Sequence, residues 1–150
     1  MLPLGGSVLR LRCQGLALKG EMTTKSITNN RLVGVVAAFT VLSWLGEVIH
    51  NAIELPSLTL LSPENSLPAL VSGILFVGWW LLPYKRLAAI LLIVWGTLHL
   101  VGGAIITVIP FGFLPFVPEQ SLRHYFAHIV YGLAQLPLIG MMISQIRQSR

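Results

Sequence analysis

The chain has 150 residues, of which 55% are hydrophobic and only 10% are charged. Soluble domains carry roughly a quarter of their residues as charged side chains, so this composition excludes an ordinary water-soluble protein. The formal charge of +5 does not indicate a nucleic-acid partner, because the basic residues follow the topology pattern described below. The single cysteine, Cys13, excludes an intramolecular disulfide and a cysteine-based zinc site.

The first 30 residues contain no apolar run long enough to span a membrane, and Glu21 is their only acid. We expect residues 1–30 to form a disordered basic tail outside the membrane domain. Two interpretations of this segment are open. The true start of the protein is Met22, or the segment is an organellar transit peptide, since a clear secretory signal is lacking.

Four segments of the remaining chain are apolar over about the 20 residues that a helix needs to cross a bilayer. They cover residues 32–53, 68–82, 87–109 and 122–146. Short connections between them favour an all-α, four-helix transmembrane bundle over residues 31–150, with an antiparallel up-down-up-down order. The sequence therefore predicts a multi-pass integral membrane protein.

The basic residues mark the two sides of the membrane. They precede the first span, separate the second span from the third, and follow the fourth: Arg10, Arg12, Lys19, Lys25, Arg31, Lys85, Arg86, Arg147 and Arg150. The other two connections contain Glu54, Glu64 and Glu119, with Arg123 as the one basic exception. Because basic residues resist translocation, we expect both termini in the cytoplasm, with the protein in a bacterial inner (plasma) membrane.

Polar residues inside membrane helices are costly and often functional. Here they are spaced three, four and seven apart, so each set falls on one helix face. The first span contributes Thr40, Ser43, Glu47, His50, Asn51 and Glu54, the fourth contributes His124, His128, Tyr131 and Gln135, and the third contributes Gly96, His99, Gly103 and Thr107. The small residues of the third face would let another helix approach closely around His99.

Several of these residues also share one depth in the bilayer. At about 1.5 Å per residue from the basic anchor at the inner end of each helix, Glu47 and Tyr131 lie about 24 Å outward and His99 about 20 Å. His50 and His128 lie one turn further out. The sequence therefore predicts that a carboxylate, several imidazoles and a phenol meet in the outer half of the bundle.

Such a site could bind a small lipophilic molecule and act on it by acid-base chemistry. The predicted site residues are catalytic Glu47, His50 and Tyr131 and ligand-binding Asn51, His99, His128 and Gln135. A polar network that only fixes helix packing is the alternative explanation for the same residues. We expect His124 at the membrane interface and Glu54 at a solvated helix end.

Residues 49–54, with the sequence IHNAIE, resemble the His-x-x-x-Glu segment in a membrane helix of the sterol isomerase (emopamil-binding) family. The resemblance implies that His50 and Glu54 shuttle a proton at a sterol double bond. It is confined to this short segment. The family's further acidic residue and its extra helix have no evident counterpart in this chain.

A metal or haem site is an alternative interpretation. Its ligands would be His50, His99 and His128 with Glu47, because imidazole suits zinc, copper and iron. Glu47 and His50 have the spacing by which di-iron bundles place two ligands on one helix, but those sites need two such motifs. This chain has one.

A third interpretation is a non-enzymatic accessory subunit or transporter component. Small bacterial four-helix membrane families, such as the DoxX-like proteins, are similar to this chain in size and layout. The polar faces would then contact a membrane-protein partner or a second copy of the chain in a homo-oligomer. The expected surroundings in every interpretation are the lipid bilayer.

Overall fold

In the computed structural model, the described residues form helices and connecting turns, with no strand among them. The backbone is described for residues 5–112, 115 and 117–148, and side chains are described from residue 30 onward within those ranges. The α-helices are α1 (Gly5–Glu54), α2 (Pro63–Leu81), α3 (Lys85–Thr97) and α4 (Leu122–Gln148). After α3 the chain continues as a π-helix, Leu98–Ile105, which we call the π segment, and a 3-10 turn, Ile106–Val108.

The chain divides into two compact units, Met1–Val35 and Val36–Arg150. The predicted tail, residues 1–30, falls in the first unit. Its backbone is helical from Gly5, where we expected no regular structure, and no side chain before Asn30 is described. The division between tail and membrane domain stays a prediction. Every contact discussed below lies within the second unit.

Three stretches of the described chain are long and apolar enough to cross a membrane: Asn30–Glu54, Lys85–Val108 and Leu122–Gln148. They indicate a membrane protein and agree closely with the first, third and fourth predicted spans. Helix α2 is not among them, because its first turn contains Glu64 and other polar residues. The second predicted span, 68–82, therefore stays a prediction.

The outer surfaces of the helices are apolar. Ile74 of α2 and Leu133 of α4 expose 61% and 60% of their surface, and they are two of many large hydrophobic side chains that face outward. Exposed apolar surface on this scale is unfavourable in water and is expected where lipid is the solvent. The surface composition therefore agrees with the hydropathy of the spans.

Basic side chains cap the C-terminal ends of α1 and α2. The Lys85 ammonium donates to the carbonyl oxygens of Trp79, at 2.6 Å, and Trp80, near the C-terminal end of α2. Cations stabilise the unpaired carbonyls and the negative end of the helix dipole there. The guanidinium of Arg123 similarly donates to the carbonyl of Ile53 at the end of α1. This bond gives a structural role to the one basic residue that departs from the charge pattern.

Glycines set the closest helix contacts. A Cβ at Gly46 would overlap the Cβ of Ala134, so the approach of α1 to α4 requires glycine there. In the π segment, a Cβ at Gly103 would lie 2.6 Å from Cε1 of Tyr131. The small residues predicted around His99 therefore do allow a close approach of α4, with Tyr131 against Gly103 and Ile139 against Gly96.

Candidate functional site

Helices α1 and α4 face each other through a series of paired polar side chains. The bonded pairs are Ser43 with Gln135, His50 with His128, and Glu54 with His124. From each pair to the next, the residue number rises on α1 by the same amount by which it falls on α4. The two helices therefore run in opposite directions over this contact, and their predicted polar faces meet.

Tyr131 connects this contact to the π segment. Its hydroxyl shares a 2.6 Å hydrogen bond with Nδ1 of His99, and its ring centroid is 5.3 Å from that of His50. The same His99 nitrogen lies 3.7 Å from Oε2 of Glu47. Single π turns within helices occur frequently at functional sites, and this one contains His99. With the His50–His128 pair, the predicted carboxylate, imidazoles and phenol come together.

All four histidines of the chain belong to one continuous series of neighbours. We call it the histidine run, and its members in order are Glu54, His124, His128, His50, Tyr131, His99 and Glu47. The ring centroids of His124 and His128 are 4.4 Å apart. Ionisable side chains are expensive in a membrane interior, so a series that gathers every histidine is the candidate functional site of the chain.

A chain of hydrogen bonds from the start of α2 fixes the tautomer of His50. The Thr59 carbonyl can only accept, so Nδ2 of Asn65 donates to it at 2.8 Å. Oδ1 of Asn65 then accepts from Nδ2 of Asn51 at 2.8 Å. Oδ1 of Asn51 in turn accepts from Nδ1 of His50 at 3.0 Å. Neutral His50 therefore carries its proton on Nδ1 and presents a bare Nε2.

The same reasoning assigns the tautomer of His128. Because Nε2 of His50 accepts, the 3.1 Å contact requires Nε2 of His128 to donate. Neutral His128 therefore has a bare Nδ1. This atom is buried and has no hydrogen-bond partner of good geometry in the described part of the chain, although the Gly103 backbone interacts with the ring.

His124 is oriented by the carboxylate beside it. Its Nδ1 lies 2.8 Å from Oε2 of Glu54, and an ionised carboxylate can only accept, so Nδ1 donates. The other nitrogen, Nε2, is buried and has no partner among the described residues. His124 and His128 thus present one unpaired nitrogen each on neighbouring rings.

An apolar groove on the surface of the π segment and α4 reaches His128. Its volume is about 300 Å³, and its lining includes Leu100, Ile105, Leu133 and Leu136 together with His128. Apolar walls with a few polar groups, here His128 and Tyr125, are typical of sites that bind small lipophilic molecules. Of the predicted site residues, His128 is the one in this lining.

The two predicted ligand-binding amides are occupied by protein groups. Nε2 of Gln135 donates to the Ser43 carbonyl at 3.0 Å, and its Oε1 accepts from the Ser43 hydroxyl, with Gln135 fully buried. Asn51 bridges His50 and Asn65. These contacts hold helices together and orient an imidazole. Direct ligand binding by either amide stays a prediction.

The sequence did not predict the contacts that three residues, His124, Glu54 and Asn65, make in this site. We expected His124 and Glu54 at an interface and in solvent, whereas they pair with each other and His124 is only 8% exposed. The four-residue steps from His50 to Glu54 and from His128 to His124 were the signal for this pairing. Asn65, 3% exposed, lies before the predicted second span, where no periodic signal distinguished it.

The metal interpretation stays a prediction. Among the side chains that the structure describes, no group of three or more histidine, cysteine, aspartate or glutamate residues is placed to hold a metal ion. Of the three predicted ligands, His50 and His128 contact each other through Nε2, while His99 is bonded to Tyr131.

Comparisons with known proteins find no family model, no curated protein and no solved structure that matches this chain. The short resemblance to the sterol isomerase family therefore gains no support from a wider match. What the chain does has to be argued from the geometry of the histidine run and the groove.

Proposed function

We propose that this membrane protein binds a lipophilic molecule that carries a hydroxyl group, and that it exchanges a proton with that hydroxyl. The apolar body of the molecule occupies the groove on the π segment and α4. Its hydroxyl donates a hydrogen bond to Nδ1 of His128. The observation that carries the proposal is an apolar groove lined by a buried imidazole whose Nδ1 has no hydrogen bond of good geometry in the described chain.

The chemistry follows from the tautomer of His128. A bare imidazole nitrogen accepts a hydrogen bond from a hydroxyl and can accept the proton itself, which is general-base behaviour. When Nδ1 of His128 takes a proton, Nε2 can pass its own proton to Nε2 of His50, 3.1 Å away. The ligand hydroxyl loses one proton, His50 gains one, and the His128 ring returns to neutral as the other tautomer.

The predicted catalytic residues act through His128 in this proposal. His50 receives its proton, and Tyr131 lies against His50 and bonds His99. Glu47 lies at the far end of the histidine run, where it can balance a positive charge on His99. His128 is the side chain that contacts the ligand.

Binding of 4-nonylphenol, a lipophile with one hydroxyl, tests the site. We expect its addition to protein with ¹⁵N-labelled histidine in lipid vesicles to shift the Nδ1 NMR signal of His128.

A substitution in the groove gives a second test. Leu133→Trp fills the groove and should weaken binding of 4-nonylphenol about tenfold, or about 1.4 kcal/mol. The same change at Ile143, an exposed α4 residue outside the groove lining, is the matched control. Equal weakening by both variants would contradict the proposal.

We also propose the four-helix, up-down-up-down antiparallel bundle, with α2 as the remaining span and both termini in the cytoplasm of a bacterial cell. The opposite directions of α1 and α4, and the packing of α3 against both α2 and α4, support this arrangement. Reporter fusions after Arg86 and after Arg150 should both give a cytoplasmic signal. A signal from outside the cell at either position would overturn the topology.

An accessory subunit or transporter component is the alternative. In that case a helix of a partner or of a second copy would cover the groove. A protein that co-purifies in a fixed ratio and is lost with Leu133→Trp, together with no binding of 4-nonylphenol, would favour the subunit. Metal analysis and absorbance of the same preparation test the metal and haem interpretation.

A further inference from the structure

We infer that the part of the histidine run from Glu54 to His50 is a proton path from the end of α1 to the interior of the protein, and that a hydroxyl oxygen bonded to both His124 and His128 completes it. The inference deepens the proposed function, on which it rests for the identity of that oxygen: the hydroxyl belongs to the ligand. A water molecule could supply the same chemistry, so the test below separates the two sources.

The position of the run in the fold gives the path its direction. Glu54 is the last residue of α1 and His124 is the third residue of α4, so their pair lies where both helices end. From there the run leads toward the middle of the helices. The seven-residue separation of Glu54 and Glu47 corresponds to about 10 Å along α1. Protons therefore have an ordered series of groups from the helix ends to the groove.

The hydrogen bonds run in opposite directions from the neighbouring rings of His124 and His128. His128 donates to His50, His50 to Asn51, and the chain of donors ends on the Thr59 carbonyl through Asn65. At the other end, His124 donates to the Glu54 carboxylate. When His124 is protonated, its Nε2 also becomes a donor and the pair with Glu54 stays neutral overall.

Between Glu54 and His50, one break interrupts the hydrogen bonds. Nε2 of His124 and Nδ1 of His128 are both buried, both without a hydrogen bond of good geometry in the described chain, and belong to rings 4.4 Å apart. A hydroxyl oxygen suits this break because it can accept from Nε2 of His124 and donate to Nδ1 of His128. Other groups near the break are Glu54, His50 and the backbone of Gly103. The Glu54 carboxylate stabilises a proton on His124, so the path collects a proton there before passing it inward.

The path starts with a proton that the Glu54 carboxyl group passes to Nδ1 of His124, while that ring carries its other proton on Nε2. The oxygen accepts a proton from Nε2 of His124 and gives one to Nδ1 of His128, so it ends as the hydroxyl that it was. Nε2 of His128 gives a proton to Nε2 of His50. His124 returns to neutral and His50 becomes the cation, with no bond between heavy atoms made or broken. A bound hydroxyl therefore acts as a link in the path.

The path itself is tested without ligand. In vesicles containing ¹⁵N-histidine protein, we expect Glu54→Gln to slow exchange of the His128 ring proton with water about tenfold or more, because an amide bonds His124 but does not carry a proton. His124→Gln, as a second variant, should do the same. Glu64→Gln, at an exposed acid in α2, is the matched control. Unchanged exchange in Glu54→Gln with intact His99 and Tyr131 signals would overturn the path.

The source of the oxygen is tested with 4-nonylphenol and its methyl ether, which has no hydroxyl. We expect the phenol to shift both Nε2 of His124 and Nδ1 of His128, and the ether to shift neither. If the phenol shifts His128 alone, the bridging oxygen is refuted while the proposed function stands. If the phenol shifts neither nitrogen, the ligand hydroxyl is refuted, and slowed exchange in Glu54→Gln would then assign the break to water.

Discussion

The contact between α1 and α4 has two halves that use polar side chains in opposite ways. In the packing half, residues 36–43 with 135–142, the polar side chains are satisfied within the protein. Thr40 donates to the Val36 carbonyl at 2.8 Å, and Ser43 and Gln135 bond each other. Val36, Leu138 and Met142 fill the remaining space and are fully buried.

In the histidine half, residues 47–54 with 124–131, several buried polar atoms have no hydrogen-bond partner. They are Oε2 of Glu47, Oε1 of Glu54, Nε2 of His124 and Nδ1 of His128, within the described part of the chain. A buried polar group without a hydrogen bond costs about 1–3 kcal/mol. The packing half therefore contributes more to stability than the histidine half does.

The largest expected effect comes from the glycine between the two halves. Gly46→Ala should destabilise the protein by about 1–3 kcal/mol, because the new Cβ overlaps Ala134 and forces α1 away from α4. Thermal unfolding in detergent measures the loss. The His50–His128 signals should change with it, since both halves depend on the same helix distance.

Gly140→Ala is the matched control for that prediction. It lies on α4 as well, but a Cβ there meets nothing within 4 Å. We expect no loss, or a gain of about 0.5–1 kcal/mol from better helix propensity. Equal destabilisation by both substitutions would mean that Gly46 does not set the contact between α1 and α4.

The next loss of stability is expected from substitutions in the packing half, and it tests whether the packing half is independent of the histidine half. Gln135→Leu and Ser43→Ala should each cost about 1–3 kcal/mol, because each leaves its partner unpaired. The double variant should cost less than the sum, with a coupling of about 0.5–3 kcal/mol. Ring-nitrogen signals of His128 should stay in place in all three variants. A shift there would show that the halves act as one unit.

Substitution of Asn65 is expected to have the smallest effect on stability, but it should change the tautomer of His50 in the histidine half. Asn65→Leu should cost about 1 kcal/mol, because Asn51 loses its acceptor. Asn51 is then free to turn its amide, so His50 should populate both neutral tautomers in ¹⁵N spectra. Glu64→Gln, at the neighbouring exposed residue, should leave one tautomer. A single tautomer in Asn65→Leu would disprove the assignment of His50 and, with it, that of His128.

The comparison of the two halves also shows what the sequence could predict. Helical spacing and rise place Glu47, His50, His128 and Tyr131 on facing surfaces at one depth, and the structure brings them together. These properties depend on position along a helix, which sequence records directly. Hydropathy likewise identifies three spans within a few residues.

Other features depend on partners that spacing does not specify. The pairing of His124 with Glu54 depends on where two helix ends meet, and a helix end next to a loop looks solvated in sequence. Asn65 acts through its amide orientation, which only a chain of neighbours fixes. The π segment around His99 has no distinct composition, and the contact of its Gly103 with Tyr131 joins residues 28 positions apart in the chain.

The pairing of α1 with α4 also determines when the site is assembled. Its bonded side chains are separated by 70 to 92 positions along the chain, whereas α2, α3 and α4 pack against their neighbours in sequence. A chain emerging from the ribosome therefore presents Glu47 and His50 long before His128 is synthesised. The histidine run closes only when α4 arrives and Arg123 reaches the Ile53 carbonyl. The complete histidine run is thus confined to chains that contain the last helix.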